Sequence, residues 1–136
     1  MRHVSTLRVR FSDTDMFGHV NNARYFTYME EARVRFLEEV LGTPELPVIL
    51  ASAKADFRGQ TFFRDRVRIE TWISRIGEKS LEFSYRMTRD ATDDLLFEGS
   101  TVLVCYDYER MQSIPVPQEW RDKLTAFLEP ADAQTA

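Results

Sequence analysis

Alternation of apolar and polar residues predicts most of the strands in this chain. Strand patterns cover five segments, namely 6–11, 48–57, 67–74, 81–87 and 95–106. In the first of these, Leu7, Val9 and Phe11 alternate with arginines, and a period of two indicates a strand with one buried face. The segment 48–57 is mixed and is predicted to be a buried strand. The segment 95–106 is apolar along most of its length, so we place it at the centre of the sheet.

One long helix is predicted after the first strand. Asn21 and Asn22 are candidate N-caps, because an Asn side chain can accept a hydrogen bond from an amide of the first turn. Gly42 is a natural stop. Apolar residues recur at helical spacing between these signals: Tyr25, Met29, Ala32, Phe36 and Val40, widened by Phe26, Leu37 and Leu41. Because this stripe is broad, we expect other elements to wrap around the helix. A second, short helix is predicted over 118–128.

The order of these elements predicts the fold class. Short turns at 77–79 and 90–94 join the last three strands, so these strands form an antiparallel meander. The pattern predicts an α+β fold, in which one antiparallel sheet of about five strands packs against the long helix. We expect residues 1–136 to form a single domain, with a small polar tail at 129–136 that frays.

The composition narrows the classes of function. A net charge of −4 argues against a nucleic-acid-binding protein, which usually carries a basic face. The single cysteine, Cys105, lies in an apolar run and is expected to be a buried, inert thiol, and no Cys/His cluster suggests a metal site. No stretch approaches the ~20 apolar residues of a membrane helix or forms a signal peptide, so we expect a cytoplasmic protein without membrane insertion.

The loop between the first strand and the helix carries the residues best suited to chemistry. Residues 13–25 are Asp-Thr-Asp-Met-Phe-Gly-His-Val-Asn-Asn-Ala-Arg-Tyr. The first amides of a helix lack acceptors and the helix dipole adds positive charge, which can stabilise a carbonyl oxygen that gains negative charge. A carboxylate a few residues earlier can fold back as a base or nucleophile. From the residues alone, caps and turns remain the commoner role of such aspartates.

The segment 11–33 resembles the signature of a known enzyme family. Its sequence, FSDTDMFGHVNNARYFTYMEEAR, is similar to that of acyl-CoA thioesterases of the 4-hydroxybenzoyl-CoA thioesterase type. These enzymes have the hotdog fold, a curved antiparallel sheet wrapped around one long helix, in agreement with the elements predicted over 6–108. The resemblance implies hydrolysis of an acyl-CoA to a carboxylic acid and free CoA.

The resemblance also implies catalytic roles for three residues of the loop. Asp15 matches the family's catalytic carboxylate, which either activates water or attacks the thioester directly; the sequence leaves this choice open. Asn22 matches the position whose backbone amide hydrogen-bonds the thioester oxygen. His19 is frequent in one subgroup of the family, so we treat it as an auxiliary catalytic residue.

Further positions are matched to the substrate pocket or to its support. Gly18 matches a position where a small residue lets the loop turn, and Tyr25 and Glu30 match positions that face the pocket or support it. Asp13 is interpreted as a turn residue that holds the loop. Glu30 and Arg33 lie one helical turn apart and can pair with each other.

Binding of CoA phosphates requires cations. Arg58, Arg64 and Lys79 lie near predicted strand ends and are candidates, although solvated surface charge is the commoner role of such residues. The resemblance implies no cofactor and no metal, with CoA present only as part of the substrate. Hotdog proteins usually join their sheets edge to edge, with sites formed between subunits, so we expect a homodimer or homotetramer whose interface covers exposed strand edges.

Other functions on the same fold stay open. An acyl-carrier-protein thioesterase would change only the carrier of the acyl group. A hotdog hydratase or dehydratase relies on a differently placed His and acid, which the motif does not match. A non-catalytic acyl-CoA or lipid binder would bind without turnover and would tolerate the loss of Asp15. The acyl group itself, a fatty chain or an aromatic group, is not determined.

Overall fold

The computed structural model describes residues 1–42 and 47–130 of the chain. The elements, in chain order, are β1 (His3–Arg8), α1 (Arg24–Leu41), β2 (Val48–Phe57), β3 (Arg66–Ile76), β4 (Ser80–Arg89), β5 (Leu95–Asp107), β6 (Gln112–Ser113) and α2 (Gln118–Leu124). Single 3₁₀ turns occupy Phe11–Asp13 and Thr125–Phe127. The second helix is therefore shorter than predicted, because its last turn is a 3₁₀ turn.

All main strands belong to one antiparallel sheet in the order β1-β3-β4-β5-β2, with the short β6 paired to β5. The predicted meander of β3, β4 and β5 is confirmed, and so is the internal position of β5. The prediction that 48–57 is buried is wrong, since β2 is an edge strand that pairs only with β5 and leaves Leu50 51% exposed. The mixed pattern of 48–57 does not show how many strands pair with it.

Helix α1 packs its apolar face on the sheet, as its stripe predicts. The core residues that it contributes are Tyr25, Tyr28, Met29, Ala32, Phe36 and Leu37. Phe26 is an exception, because it lies on the exposed side and not in the buried stripe. Gly99 of β5 allows the close approach of the helix, since a Cβ there would lie 2.8 Å from the sulfur of Met29. Gly42 ends the helix in a left-handed conformation, φ +77°, as predicted.

The first strand ends earlier than its alternation predicts. Strand β1 stops at Arg8, and Phe11 begins a 3₁₀ turn in which it is 76% exposed. The cause is local, since the carboxylate of Asp13 accepts a hydrogen bond from the backbone amide of Arg10 at 3.0 Å. This bond folds the chain back on itself and begins the loop that leads to α1.

The N-terminal segment and the segment after α2 meet on the sheet. The guanidinium of Arg2 bonds both carboxylate oxygens of Glu129, at 2.9 and 2.7 Å, and lies over the ring of Trp72. The amide of Glu129 also donates to the carbonyl of Ile73 at 2.7 Å. The prediction of a frayed tail from 129 onward is thus wrong for Glu129, and residues 131–136 lie outside the described part of the chain.

The structure also tests the predictions about Cys105 and about membrane-spanning helices. The Cys105 thiol is fully buried in the core, as predicted, and this burial raises its pKa. In residues 1–42 and 47–130, no helix is long and apolar enough to cross a membrane.

Candidate active site

The loop between β1 and α1 forms a tight hairpin that presents Asp15. The amide of Asp15 donates to the carbonyl of His19 at 2.9 Å, and the amide of Gly18 donates back to the carbonyl of Asp15 at 3.2 Å. Gly18 has φ +88°, a left-handed conformation that favours glycine. Gly18 therefore lies in a turn, where the resemblance expects it.

The carboxylate of Asp15 is only partly satisfied. One oxygen, Oδ1, accepts the amide of Phe17 at 2.9 Å, and the other, Oδ2, lies 3.4 Å from Nδ1 of His19. The side chain is 28% exposed, and within the described residues no Lys or Arg lies within 4.0 Å of it. Asp15 therefore keeps lone pairs and solvent access that a base or nucleophile requires.

Asp13 has the opposite environment, two residues earlier. Its side chain is 1% exposed and accepts hydrogen bonds from the Arg10 amide, the Arg10 guanidinium and the hydroxyl of Tyr28. Burial alone would raise the pKa of Asp13, but these hydrogen bonds outweigh it and hold the pKa below its ordinary value. The structural interpretation of Asp13 as the residue that holds the loop is confirmed.

The backbone amide of Asn22 is available to a ligand. Its neighbours are engaged: the Asn21 amide donates to the carbonyl of Asp13, and the Ala23 amide donates to Oδ1 of Asn21 at 3.0 Å. Within residues 1–42 and 47–130 the Asn22 amide has no acceptor. It precedes the first turn of an 18-residue helix, where the dipole adds positive charge. The prediction that Asn21 or Asn22 caps the helix is wrong, because the N-cap is Ala23 without a side-chain cap bond, and the Asn21 side chain instead accepts the Ala23 amide in the preceding turn.

A cavity of about 330 Å³ lies at this end of the helix. Its lining residues are His19, Val20, Asn22, Tyr25, Phe57, Arg58, Gly59, Gln60 and Thr61. His19 lines the cavity, and its Nδ1 lies 3.4 Å from Oδ2 of Asp15, a residue that does not itself line the cavity. The arrangement brings the imidazole of His19 and the backbone of Asn22 to one cavity, and it links the Asp15 carboxylate to that cavity through His19.

Tyr25 forms a rigid wall of this cavity. Its ring stacks on Phe97 at a centroid distance of 5.2 Å, and its hydroxyl donates to Oγ1 of Thr61 at 3.0 Å. Burial raises the pKa of the Tyr25 phenol. The tyrosine is therefore a neutral, fixed group at neutral pH, consistent with a supporting role.

The three candidate cations for the CoA phosphates do not lie together at the cavity of one chain. Arg58 lines the cavity, with Nε 3.8 Å from a carboxylate oxygen of Glu98. Arg64 lies outside the cavity with its guanidinium over the ring of Phe63. Lys79 precedes β4, whereas Arg89 at the other end of β4 bonds the carbonyl of Gln60 beside the cavity. A ten-residue strand spans about 30 Å, so Lys79 is far from the Asn22 amide.

Glu30 lies outside the cavity at the start of the helix. It borders a smaller cavity of about 150 Å³ between α1 and β2, together with Phe26 and Leu50. The predicted pairing of Glu30 with Arg33 is wrong, since the two side chains do not reach 4.0 Å within the described structure. Nη1 of Arg33 instead lies 3.4 Å from the hydroxyl of Tyr85, because the arginine turns towards the sheet.

The segment after β2 supplies residues that the sequence did not single out. Three such residues line the cavity beside the predicted Arg58, namely Gly59, Gln60 and Thr61. The carbonyl of Thr61 accepts the amide of Val20 at 2.7 Å, so this segment also anchors the loop that carries Asp15. No periodicity or motif marks these residues, because their role depends on a pairing between segments about forty positions apart. Within the described part of the chain, no three His, Cys, Asp or Glu side chains converge as a metal site would require.

Comparisons with known proteins identify the family of the chain. Residues 9–124 match the model of the thioesterase-like superfamily. The chain is 30% identical over 119 residues to the uncharacterised protein YsmA of Bacillus subtilis, covering 85% of this chain and 80% of that protein. It is 24% identical to the long-chain acyl-CoA thioesterase FadM of Escherichia coli, covering 87% and 93% of the two chains.

Solved structures show the same architecture. The crystal structure of a thioesterase from Thermus thermophilus, complexed with coenzyme A and Zn, has a TM-score of 0.81 and 27% identity to this chain. The match covers 91% of this chain and 92% of that one. The antiparallel sheet and its helix are accordingly those of the hotdog fold. The chain belongs to the thioesterase-like superfamily.

Proposed function

We propose that this protein hydrolyses an acyl-CoA thioester to a carboxylic acid and free CoA. Relatives named as acyl-CoA thioesterases, and a related thioesterase structure complexed with coenzyme A, support the substrate class. The local geometry supports the chemistry, because Asn22, whose amide is unpaired, lines a cavity together with His19, and His19 lies 3.4 Å from the partly exposed Asp15 carboxylate.

The unpaired amide of Asn22 is the observation that carries the proposal. Asn22 is solvent-exposed, and its amide has no protein acceptor in the described residues, whereas the amides on either side of it are hydrogen-bonded. An amide left open at the positive end of a long helix is suited to bind the thioester carbonyl oxygen. It would stabilise that oxygen most strongly in the transition state, when negative charge develops on it.

Asp15 supplies the second half of the reaction. As a general base, its carboxylate takes a proton from water while the hydroxide oxygen attacks the thioester carbon. As a nucleophile, it attacks that carbon itself and forms a mixed anhydride, which water then hydrolyses. In both routes the C–S bond breaks and CoA leaves as a thiolate that takes up a proton. His19, with Nδ1 3.4 Å from Oδ2 of Asp15, is placed to orient the carboxylate.

Binding of the CoA phosphates and assembly of chains belong to the same proposal. Arg58 is the cation that we assign to the phosphates, since it lines the cavity. Lys79 can serve only from a second chain, because about 30 Å of sheet separates it from the cavity of its own chain. A homodimer or homotetramer is supported by the edge strand β2, where Ile49 and Leu50 are exposed large apolar residues.

Thiol release from a panel of short, long and aromatic acyl-CoAs tests the proposal, with native protein compared to Asp15→Asn. The matched control is Asp13→Asn, the same chemical change two residues away. We expect Asp15→Asn to lower kcat by about a hundredfold or more at an unchanged Tm, the scale of loss for key catalytic groups. We expect Asp13→Asn to lower Tm while kcat stays near native when measured well below that Tm.

The proposal fails if Asp15→Asn is as active as the native chain. It also fails if no CoA ester is hydrolysed. If only acyl-carrier-protein thioesters are then hydrolysed, the protein is a thioesterase that acts on a different acyl carrier. If acyl-CoA binds tightly without turnover, the protein is a non-catalytic binder.

A further inference from the structure

Two hydrogen bonds reach Thr61 from opposite sides of Asn22. Upstream, the amide of Val20 donates to the carbonyl oxygen of Thr61 at 2.7 Å. Downstream, the hydroxyl of Tyr25 donates to Oγ1 of Thr61 at 3.0 Å. The chain from 20 to 25 is therefore anchored at both of its ends to one residue, and the unpaired Asn22 amide lies between the anchors.

Thr61 is an unusual residue for its surroundings. Its side chain is 0% exposed in a segment that belongs to no strand or helix, where an apolar residue would pack without needing a partner. The described part of the chain offers its Oγ1 one hydrogen-bond partner, the Tyr25 hydroxyl. Without that acceptor, the phenol of Tyr25 would be buried against Phe57 and Phe97 with its O–H unsatisfied.

We propose that Thr61 is the positioning residue for the amide that binds the thioester oxygen. This inference rests on the proposed function, since it concerns the same amide. Thr61 does not itself contact substrate. It acts through Val20 and Tyr25, which together set where the Asn22 amide points relative to Asp15.

The physical consequence of losing this hydroxyl is a shift in geometry without loss of fold. Tyr25 would still stack on Phe97, but its hydroxyl would seek another partner and move the first turn of α1 with it. An oxyanion donor is effective only when it is held in place before the reaction, and small misplacements lower rates strongly. Because the amide acts mainly on the transition state, the loss should appear in kcat and hardly in KM.

The experiment compares Thr61→Val with Thr61→Ser. Valine keeps the shape and removes the hydroxyl, whereas serine keeps the hydroxyl and removes only the methyl group. Thr71→Val is the matched control, because Thr71 is also fully buried but its Oγ1 has no partner in the described structure. We expect Thr61→Val to lower kcat about tenfold at nearly native KM. Thr61→Ser and Thr71→Val should keep near-native kcat.

Tyr25→Phe closes the test, because it removes the other partner of the same hydrogen bond. It should lower kcat as much as Thr61→Val, and the double variant should be no worse than either single one, since both remove one interaction. Native kcat in Thr61→Val would overturn the inference, and so would additive losses in the double variant. Equal loss in Thr61→Ser would also overturn it by assigning the effect to packing. These outcomes are separable from failure of the proposed function, which Asp15→Asn reports by itself.

Discussion

Asp13 and Asp15 belong to one loop, carry the same side chain and are surrounded in opposite ways. Asp13 is 1% exposed and receives hydrogen bonds from a backbone amide, a guanidinium and a phenol. Asp15 is 28% exposed and has one amide donor, with an imidazole 3.4 Å away. The first carboxylate has no capacity left for a ligand, whereas the second does.

The difference separates stabilising groups from reactive ones. A buried charge is tolerated only when it is fully hydrogen-bonded, and such a group is held too well to react. The two tyrosines of the helix follow the same division, since Tyr28 bonds Asp13 and Tyr25 bonds Thr61 at the cavity. Substitutions on the Asp13 side should therefore change stability, and those on the Asp15 side should change turnover.

The largest effect on stability is expected from Asp13→Ala. This change leaves the Tyr28 hydroxyl and the Arg10 amide without their acceptor and opens a small void. We expect the free energy of unfolding to fall by about 3 kcal/mol. Urea denaturation measures this directly. A loss as small as that of Asp15→Ala would remove the distinction between the two carboxylates.

Acidification should lower the free energy of unfolding by protonating the carboxylate of Asp13. Because hydrogen bonding holds the pKa of Asp13 below its unfolded value, its ionised form contributes stability above about pH 4. That contribution is lost as the pH falls through the lower, folded-state pKa. The free energy of unfolding of the native chain should therefore decrease below pH 4 more steeply than that of Asp13→Asn. Parallel pH profiles for the two proteins would contradict the assignment.

A smaller loss is expected from Tyr28→Phe, which removes one of the donors to Asp13. Hydrogen bonds to a charged group contribute about 1.5 kcal/mol or more, so we expect a destabilisation of about 1.5 kcal/mol with native kcat. Tyr106→Phe is the control, since the Tyr106 hydroxyl has no hydrogen-bond partner in the described residues and should lose nothing measurable. A reduced kcat in Tyr28→Phe at unchanged stability would contradict the assignment of Tyr28 and Asp13 to stability.

The smallest effect is expected from Gly18→Ala in the turn that presents Asp15. A Cβ there meets nothing within 4 Å, so the cost is only that of the left-handed backbone, about 1 kcal/mol. Gly42 has a similar positive φ, +77° against +88° at Gly18, and the same open space, so Gly42→Ala should cost a similar amount. Only Gly18→Ala should also lower kcat, by about threefold to tenfold, because it moves the Asp15 turn. Equal kcat in the two variants would mean that the turn does not position Asp15.

The fold could largely be predicted because it follows from periodicity. The stripe of α1 and the alternation in β3 and β4 each specify a buried face, and the structure buries those faces. The errors arise where a single turn hydrogen bond ends a strand, or where the number of neighbouring strands is not visible in the pattern. Phe11 lies outside the strand because Asp13 folds the chain back. The segment of β2 is predicted to be buried, although β2 has a partner strand on one side only.

The candidate site divides in the same way. Asp15, Asn22 and His19 could be named because the segment 11–33 resembles a family signature, whereas the residues alone indicate only a carboxylate near a helix start. The sequence could not test Lys79 as a candidate for binding the CoA phosphates. Only the sheet register shows that Lys79 lies at the end of β4 that is far from the cavity. Thr61 could not be found at all, because nothing in its neighbourhood distinguishes it until the segment 58–65 is laid beside the loop.

The burial of Cys105 decides how cleanly turnover can be recorded. The chain has one cysteine, which lies on β5 and is fully buried in the core, and burial raises its pKa, so little reactive thiolate is present in the folded state. A thiol-reactive dye added to follow CoA release therefore sees only the product. In denaturant the same dye would label one equivalent per chain, so a single reagent reports catalysis in the native protein and opening of the core during unfolding.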